Sequence, residues 1–81
     1  MFNGLKELKQ MQDILTKEEV TEELNGVKIR INGKMEILEI NLNSDLDLEA
    51  QENSIKKCFN RAIHKMQFNL ASQMSKLKAG F

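Results

Sequence analysis

Two Asn-Gly dipeptides constrain the fold of this chain more than any other feature. Asn25-Gly26 and Asn32-Gly33 enclose residues 27–31, in which three β-branched apolar residues alternate with two basic ones. Asn-Gly favours the tight turns of β-hairpins, and strict alternation is typical of a strand with one buried face. We therefore predict two successive hairpins that form a three-stranded antiparallel meander.

The outer strands of this meander differ in character. Residues 18–24 are acidic, but Val20 and Thr21 favour a strand and a turn dipeptide follows, so we predict a short acidic first strand. In the third strand, period-two alternation places Leu38 and Ile40 on one face and Met35 and Ile37 on the opposite face. A strand that is apolar on both faces needs cover on both sides.

The size of the chain suggests where that cover comes from. Eighty-one residues form one domain, spanning 1–81, near the lower limit for a single core, and the only cysteine, Cys58, permits no intramolecular disulfide. Small chains without such links often gain burial by oligomerising. We predict a homodimer formed through the sheet region, in which a second copy covers the sheet face that the chain's own helix leaves open. The predicted interface residues are Met35, Ile37, Leu38 and Ile40.

Helices are predicted on both sides of the meander, which gives an α+β fold. The first runs from Phe2 to about Thr16, with Asn3 as its N-cap and a seam of Met1, Leu5, Leu8 and Leu15. The second follows a cap at Asp45 or Asp47 and continues to about Leu77, since no Pro or Gly interrupts it. Its predicted apolar stripe comprises Leu48, Ile55, Phe59, Ala62, Ile63, Met66, Leu70 and Leu77.

The net charge is zero, but the charge is divided unequally along the chain. Residues 1–52 hold twelve acidic and six basic side chains, a balance of −6, whereas residues 53–81 hold six basic and no acidic ones, a balance of +6. Lys57, Arg61 and Lys65 recur every fourth residue and form a basic ridge, predicted roughly opposite the apolar stripe. His64 and Phe68 flank this ridge.

This basic ridge predicts contacts with the phosphate backbone of DNA, because Lys and Arg gain affinity by releasing counterions without reading bases. We include His64 as a further DNA contact. The plainer alternative is an ordinary solvated helix face, and Phe68 is more often a packing or dimer contact than a stacking platform. The acidic residues of the first strand either form a solvated edge or repel DNA from that side.

No catalytic or metal-binding constellation is present in the sequence. Cys58 and His64 are six residues apart on one helix, about 240° around its axis, and no third partner accompanies them. We therefore expect neither an enzyme nor a cofactor, metal or small-molecule substrate. No apolar run approaches the ~18 residues of a membrane span, and the N-terminus lacks the apolar segment of a signal peptide, so a cytoplasmic location is expected.

Four sequence segments follow one another along nearly the whole chain: "MFNGLKELKQMQ", "VKIRINGKMEILEINL", "CFNRAIHKM" and "ASQMSKL". In this order they resemble the YbaB/EbfC family of bacterial nucleoid-associated proteins. The resemblance implies an α-β-β-β-α protomer that dimerises, with helices projecting like the arms of tweezers. It also implies binding to DNA with little sequence preference and a role in shaping the nucleoid or influencing transcription. The first helix is shorter here, and the glycine-rich link between the first two strands is reduced to Leu24-Asn25-Gly26.

Two alternatives to DNA binding remain open from the sequence. A basic amphipathic helix can lie on an anionic membrane, although the apolar stripe of this helix is needed to cover the sheet and the chain has no Trp. A protein-interaction module without nucleic acid is the other alternative, and the zero net charge favours it.

Overall fold

The structure, a computed structural model, describes residues 4–79, with side chains described as far as Lys76. The elements are α1 (Gly4–Lys17), β1 (Glu19–Leu24), β2 (Val27–Asn32), β3 (Ile37–Asn41) and α2 (Leu48–Ala79). The strands form one antiparallel sheet in the order β1-β2-β3. This arrangement confirms the predicted α+β fold and its meander. The predicted N-cap Asn3, the seam residue Met1 and the side chain of Leu77 lie outside the described residues.

The β1–β2 hairpin is the tight turn that Asn25-Gly26 predicts. Leu24 pairs with Val27, so only two residues form the loop. Asn25 has φ 54° and Gly26 has φ 82°, and positive φ at both loop residues matches the twist of the flanking strands. The side-chain amide of Asn25 donates a hydrogen bond to Ser54 Oγ in α2 at 3.1 Å. The turn is thereby fixed to the helix that covers the sheet.

The β2–β3 connection is longer than a two-residue turn. Asn32 is the last residue of β2, is only 3% exposed, and its Oδ1 accepts hydrogen bonds from the backbone N–H of Lys34 (2.9 Å) and Glu36 (3.1 Å). The residue with positive φ is Met35, at 63°. Met35 therefore lies in the connection before β3, and its predicted place on one face of the strand is wrong. The buried asparagine side chain organises this turn by replacing backbone partners.

Gly33 serves the packing of α1 rather than the turn itself. Its N–H donates to Leu15 O at 2.8 Å and to Glu18 O at 3.0 Å. A Cβ atom at this position would lie 2.5 Å from Leu15 O, closer than side chains approach backbone oxygens. The absence of a side chain lets the C-terminal end of α1 meet the end of β2 directly.

A β-bulge in β3 changes which residues share a face. Ile40 pairs with Ile29 and Ile37 pairs with Ile31, so Leu38 is the extra residue of the bulged strand. Directly paired residues point to the same side of a sheet. Ile37 and Ile40 therefore lie on the same face as Ile29 and Ile31, and the prediction that they face opposite sides is wrong. The sequence alternation gave no indication of the inserted residue.

The other face of the sheet carries charge. Arg30 lies between two carboxylates, with Nη1 2.8 Å from Glu19 Oε1 and Nε 3.3 Å from Glu39 Oε1, and Lys28 Nζ is 3.8 Å from Glu39 Oε2. Hydrogen bonds from Asn41 and Arg30, together with the charge of Lys28, lower the pKa of Glu39. This face presents ion-paired side chains, so the prediction that β3 makes it apolar is wrong.

The second helix begins at a cap and packs across two strands. Asp47 Oδ1 accepts a hydrogen bond from the N–H of Ala50 at 2.7 Å, so Asp47 is the N-cap. The helix packs on β1 and β2. The core residues are Val20, Ile29, Ile31, Cys58, Ala62 and Met66, with Val27 also buried.

The buried face of α2 is rotated from the predicted stripe toward smaller residues. Ser54 (2% exposed), Cys58, Ala62 and Met66 recur every fourth residue and are buried, and the small side chains allow the helix to approach the sheet closely. Of the predicted stripe, Ala62 and Met66 are buried, and four residues are only partly buried: Ile55, Phe59, Ile63 and Leu70. Leu48 is 73% exposed, because it precedes the part of α2 that crosses the sheet.

The ends of the two helices lie beside each other. At ~1.5 Å per residue, the 32 residues of α2 span roughly 48 Å, whereas a six-residue strand spans about 20 Å. The C-terminal part of α2 therefore continues past the sheet and meets α1. An apolar cleft between them is lined by Met11, Ile14, Leu15, Leu70, Gln73 and Met74. No residue of α1 in the described range is buried.

Candidate nucleic-acid interface

The basic ridge of α2 is exposed to solvent. Lys57, Arg61 and Lys65 follow one another at intervals of one helical turn, and all three are exposed, as is the neighbouring His64. The helix carries no Asp or Glu after Glu52. A continuous stretch of α2 therefore presents positive charge without a negative side chain of its own helix nearby.

Lys65 is held by an acidic residue of the sheet. Its Nζ lies 2.9 Å from Glu22 Oε2, and the side chain of Glu22 is 17% exposed whereas that of Lys65 is 63% exposed. Glu22 pairs with Ile29 and so lies on the helix-facing side of β1. The ridge therefore runs along the flank of α2 next to β1, and its predicted position roughly opposite the buried stripe is wrong.

Lys57 and Arg61 differ from Lys65 in their partners. Neither side chain forms an ion pair with another residue in the range whose side chains the structure describes. A cation without an intramolecular partner gives up only bound water when it contacts a phosphate. Lys65 must also break its ion pair with Glu22. The sequence contained a signal for this difference, since alternation with Val20 and Leu24 directs Glu22 toward the helix.

A longer line of side chains continues the ridge toward the end of α2. Lys57, Arg61, His64 and Phe68 are spaced by four, three and four residues, which places them along one face of a helix. Phe68 is 76% exposed. Among the residues whose side chains are described, Phe68 is not part of the hydrophobic core, so the predicted packing role is not seen there. We call these four residues the cationic–aromatic line.

Cys58 and His64 lie in different environments. Cys58 is buried, and its Sγ lies 3.0 Å from Glu22 O and 3.7 Å from Val27 O, both of which it can reach as a donor. Burial raises the pKa of this thiol, which disfavours the reactive thiolate. His64 is exposed on another side of the helix. Within residues 4–79, no group of three His, Cys, Asp or Glu side chains is arranged to hold a metal ion.

A second surface feature is apolar and lies on β3 and the residue that follows it. We call Ile37 (49% exposed), Leu38 (41%), Ile40 (44%) and Leu42 (58%) the β3 patch. The patch remains open because α2 packs on β1 and β2. Met35, the remaining predicted interface residue, is 38% exposed in the adjoining connection.

Helix geometry extends this apolar surface onto α2. Phe59 and Ile63 are partly buried and lie about 160–200° around the helix from Arg61, on the flank away from β1. The basic ridge and the apolar surface thus occupy opposite flanks of one helix.

Across residues 4–79, neither helix combines the length and the apolar character that crossing a bilayer requires.

Comparison with known proteins identifies the family of this fold. The chain is 32% identical to the nucleoid-associated protein TTE0040 of Caldanaerobacter subterraneus subsp. tengcongensis, in an alignment that covers 94% of this chain and 74% of that protein. The crystal structure of the uncharacterized protein HP0035 from Helicobacter pylori superimposes with a TM-score of 0.75 at 19% identity, covering 90% of this chain and 92% of that one. This second likeness concerns the fold alone. Residues 4–81 match the YbaB/EbfC DNA-binding family, and the chain belongs to that family.

Proposed function

We propose that this protein binds double-stranded DNA through its phosphate backbone and acts as a homodimer at the nucleoid, without enzymatic activity. The observation that carries the proposal is the exposed pair Lys57 and Arg61 on a helix that has no carboxylate after Glu52. Membership of a DNA-binding family and similarity to a nucleoid-associated protein support it.

The chemistry of the ridge favours binding without sequence preference. Contacts from Lys and Arg to phosphates fix the position of a protein on DNA but carry no base information. The two cations lie about 6 Å apart along the helix axis, at ~1.5 Å per residue, which corresponds to roughly two phosphate steps of ~3.4 Å along one strand. A helix flank can therefore follow a backbone without entering a groove to read base edges.

The charged face of the sheet supports one orientation on DNA. Glu19 and Glu39 lie on the face away from α2, around Arg30. Because both carboxylates already neutralise that arginine, the face carries no excess positive charge for a polyanion. DNA is therefore expected to approach α2 from its exposed side, with the outer sheet face turned away.

The β3 patch supports the homodimer. Four neighbouring exposed large apolar residues, three on β3 and Leu42 directly after it, are unusual for a surface that stays in water. The face of the sheet that α2 covers is continuous from β1 to β3, but the helix occupies only the first two strands. A second copy docking there completes the apolar layer, and a two-fold axis brings the same patch from both chains together.

An interaction module that acts only on proteins is the second candidate. Leu5 (75% exposed) and Leu8 (57%) form an exposed apolar seam along α1, which Met11 (42%) continues into the cleft with α2. Such a seam suits a helix or groove of another protein. This candidate predicts that the cations of α2 have no effect on the partner bound.

A gel shift with random-sequence duplex at low salt tests the proposal. The Lys57→Gln/Arg61→Gln variant should lose binding, because two phosphate contacts per protomer disappear. Lys28→Gln/Lys34→Gln is the matched control: it removes the same charge from the sheet side of the molecule and should bind nearly as wild type does. An equal loss of duplex affinity in both variants would indicate that binding depends on net charge alone. The absence of a gel shift with wild-type protein would contradict the proposal.

A further inference from the structure

Phe68 is an aromatic side chain in an unusual position for a folded protomer. It is 76% exposed, and it follows Met66, which is completely buried, by two residues, so it points away from the sheet. A single exposed apolar residue needs no explanation. This one, however, lies in line with Lys57, Arg61 and His64 on the surface where we place DNA.

The surroundings of Phe68 leave its ring accessible. The next residues on the same side of α2, Ala71 and Ser72, are exposed and small. No acidic residue of α2 lies beyond Glu52. A flat base can therefore reach the ring from the C-terminal side of α2 without meeting a bulky or negatively charged neighbour, whereas His64 and Lys65 lie one turn before the ring.

The spacing along the line fits a short stretch of nucleic acid. From Lys57 to Phe68 the helix rises about 17 Å, at ~1.5 Å per residue, which equals roughly five base-pair steps of ~3.4 Å. Cations at one end and an aromatic ring at the other are the two components that proteins use for DNA whose bases are unstacked. Positive charge holds the phosphates, while the ring replaces the lost stacking partner.

We propose that Phe68 stacks on an unpaired base while Lys57 and Arg61 hold the neighbouring phosphates, so that the protein prefers DNA containing a bulged base over a perfect duplex. The inference rests on the proposed function, because it assigns a substrate preference to the same surface. In a perfect duplex every base is already stacked and the ring gains nothing. At a bulge, the base is already unpaired and partly unstacked, so the protein does not have to supply the free energy of unstacking it.

Fluorescence anisotropy with two labelled duplexes tests this inference. The duplexes share one sequence and differ only by a single unpaired adenine in one strand. Wild-type protein should bind the bulged duplex about 10-fold more tightly, within the range for stacking of one base. Phe68→Ala should abolish this preference and change the affinity for perfect duplex by less than about twofold. Arg61→Gln should weaken both duplexes alike.

A matched control separates stacking from general loss of apolar surface. Leu48 is similarly exposed, at 73%, but lies outside the cationic–aromatic line, so Leu48→Ala should keep the preference for the bulge. Sedimentation of Phe68→Ala should give the same mass as wild type. A change in mass would overturn the inference by making Phe68 a contact between copies.

The remaining outcomes distinguish this inference from the function on which it rests. Equal affinity of wild-type protein for both duplexes contradicts the role of Phe68 and leaves DNA binding intact. A bulge preference that survives in Phe68→Ala contradicts it as well. Failure of the wild type to bind either duplex contradicts the proposed function itself, and the inference with it.

Discussion

Replacing Ile40 with Asp should separate the proposed homodimer into folded monomers. In one protomer Ile40 is 44% exposed. Burying this exposed part of the side chain in the dimer stabilises it by about 1 kcal/mol, since full burial of an isoleucine contributes ~1.5–3 kcal/mol. An unpaired carboxylate in an apolar contact costs at least about 2 kcal/mol more. Because a two-fold interface contains the substitution twice, the loss is roughly 6 kcal/mol, or about four orders of magnitude in the dimer Kd.

Analytical ultracentrifugation at micromolar concentration measures this effect. The wild-type protein should sediment with about twice the mass of the 9.3 kDa chain, and Ile40→Asp with the mass of one. Thr21→Asp provides the control, since Thr21 is exposed and pairs with Arg30 on the outer face of the sheet. It should remain dimeric. A monomeric wild type, or dissociation by Thr21→Asp but not by Ile40→Asp, would refute the reasoning.

Three further predictions concern contacts within the protomer. Glu22→Gln should release Lys65 for a phosphate, raising DNA affinity and steepening the slope of log affinity against log salt by about 2 per dimer, measured by anisotropy. Gly33→Ala should lower the free energy of unfolding by about 1–3 kcal/mol in urea titration, because its Cβ would collide with Leu15 O. Glu39→Gln should destabilise the protein at pH 7. A lowered pKa in the folded state gives stability that is present above the ordinary carboxyl pKa of about 4.3 and lost as pH falls below it. The difference in thermal stability between wild type and Glu39→Gln should therefore shrink in acid.

The element order could be predicted because local chemistry determines it. Asn25-Gly26 produces a two-residue turn with positive φ at both positions, and Asp47 caps α2 through its side chain. Each of these features depends on residues within a few positions of one another. The similar dipeptide Asn32-Gly33 behaves differently, because the backbone of α1 packs directly against Gly33.

The faces of the elements were harder to predict because they depend on distant contacts. The bulge at Leu38 shifts the side chains of β3 relative to simple alternation. Likewise, α2 buries Ser54 and Cys58, which the predicted hydrophobic stripe does not include, and it leaves Leu48 in solvent. Close approach of the helix to the sheet selects small residues, and hydrophobicity alone does not reveal where that approach occurs.

The candidate site was partly visible in the sequence. Helical spacing identified the ridge of Lys57, Arg61 and Lys65, and all three are exposed. The pairing of Lys65 with Glu22 joins residues 43 positions apart, so it required knowledge of how α2 lies on β1. The position of Phe68 on the same line was available from spacing, but its exposure depends on where the sheet ends.

The salt dependence of binding to random duplex DNA tests the central claim most directly. Lys57 and Arg61 in two copies neutralise about four phosphates, so the slope of log affinity against log salt should be near −4, at ~0.9 per phosphate. The Lys57→Gln/Arg61→Gln variant should bind weakly with a slope near zero, while Lys28→Gln/Lys34→Gln should keep the wild-type slope. A wild-type slope near zero, or one that the Lys57→Gln/Arg61→Gln substitutions leave unchanged, would contradict backbone binding by α2.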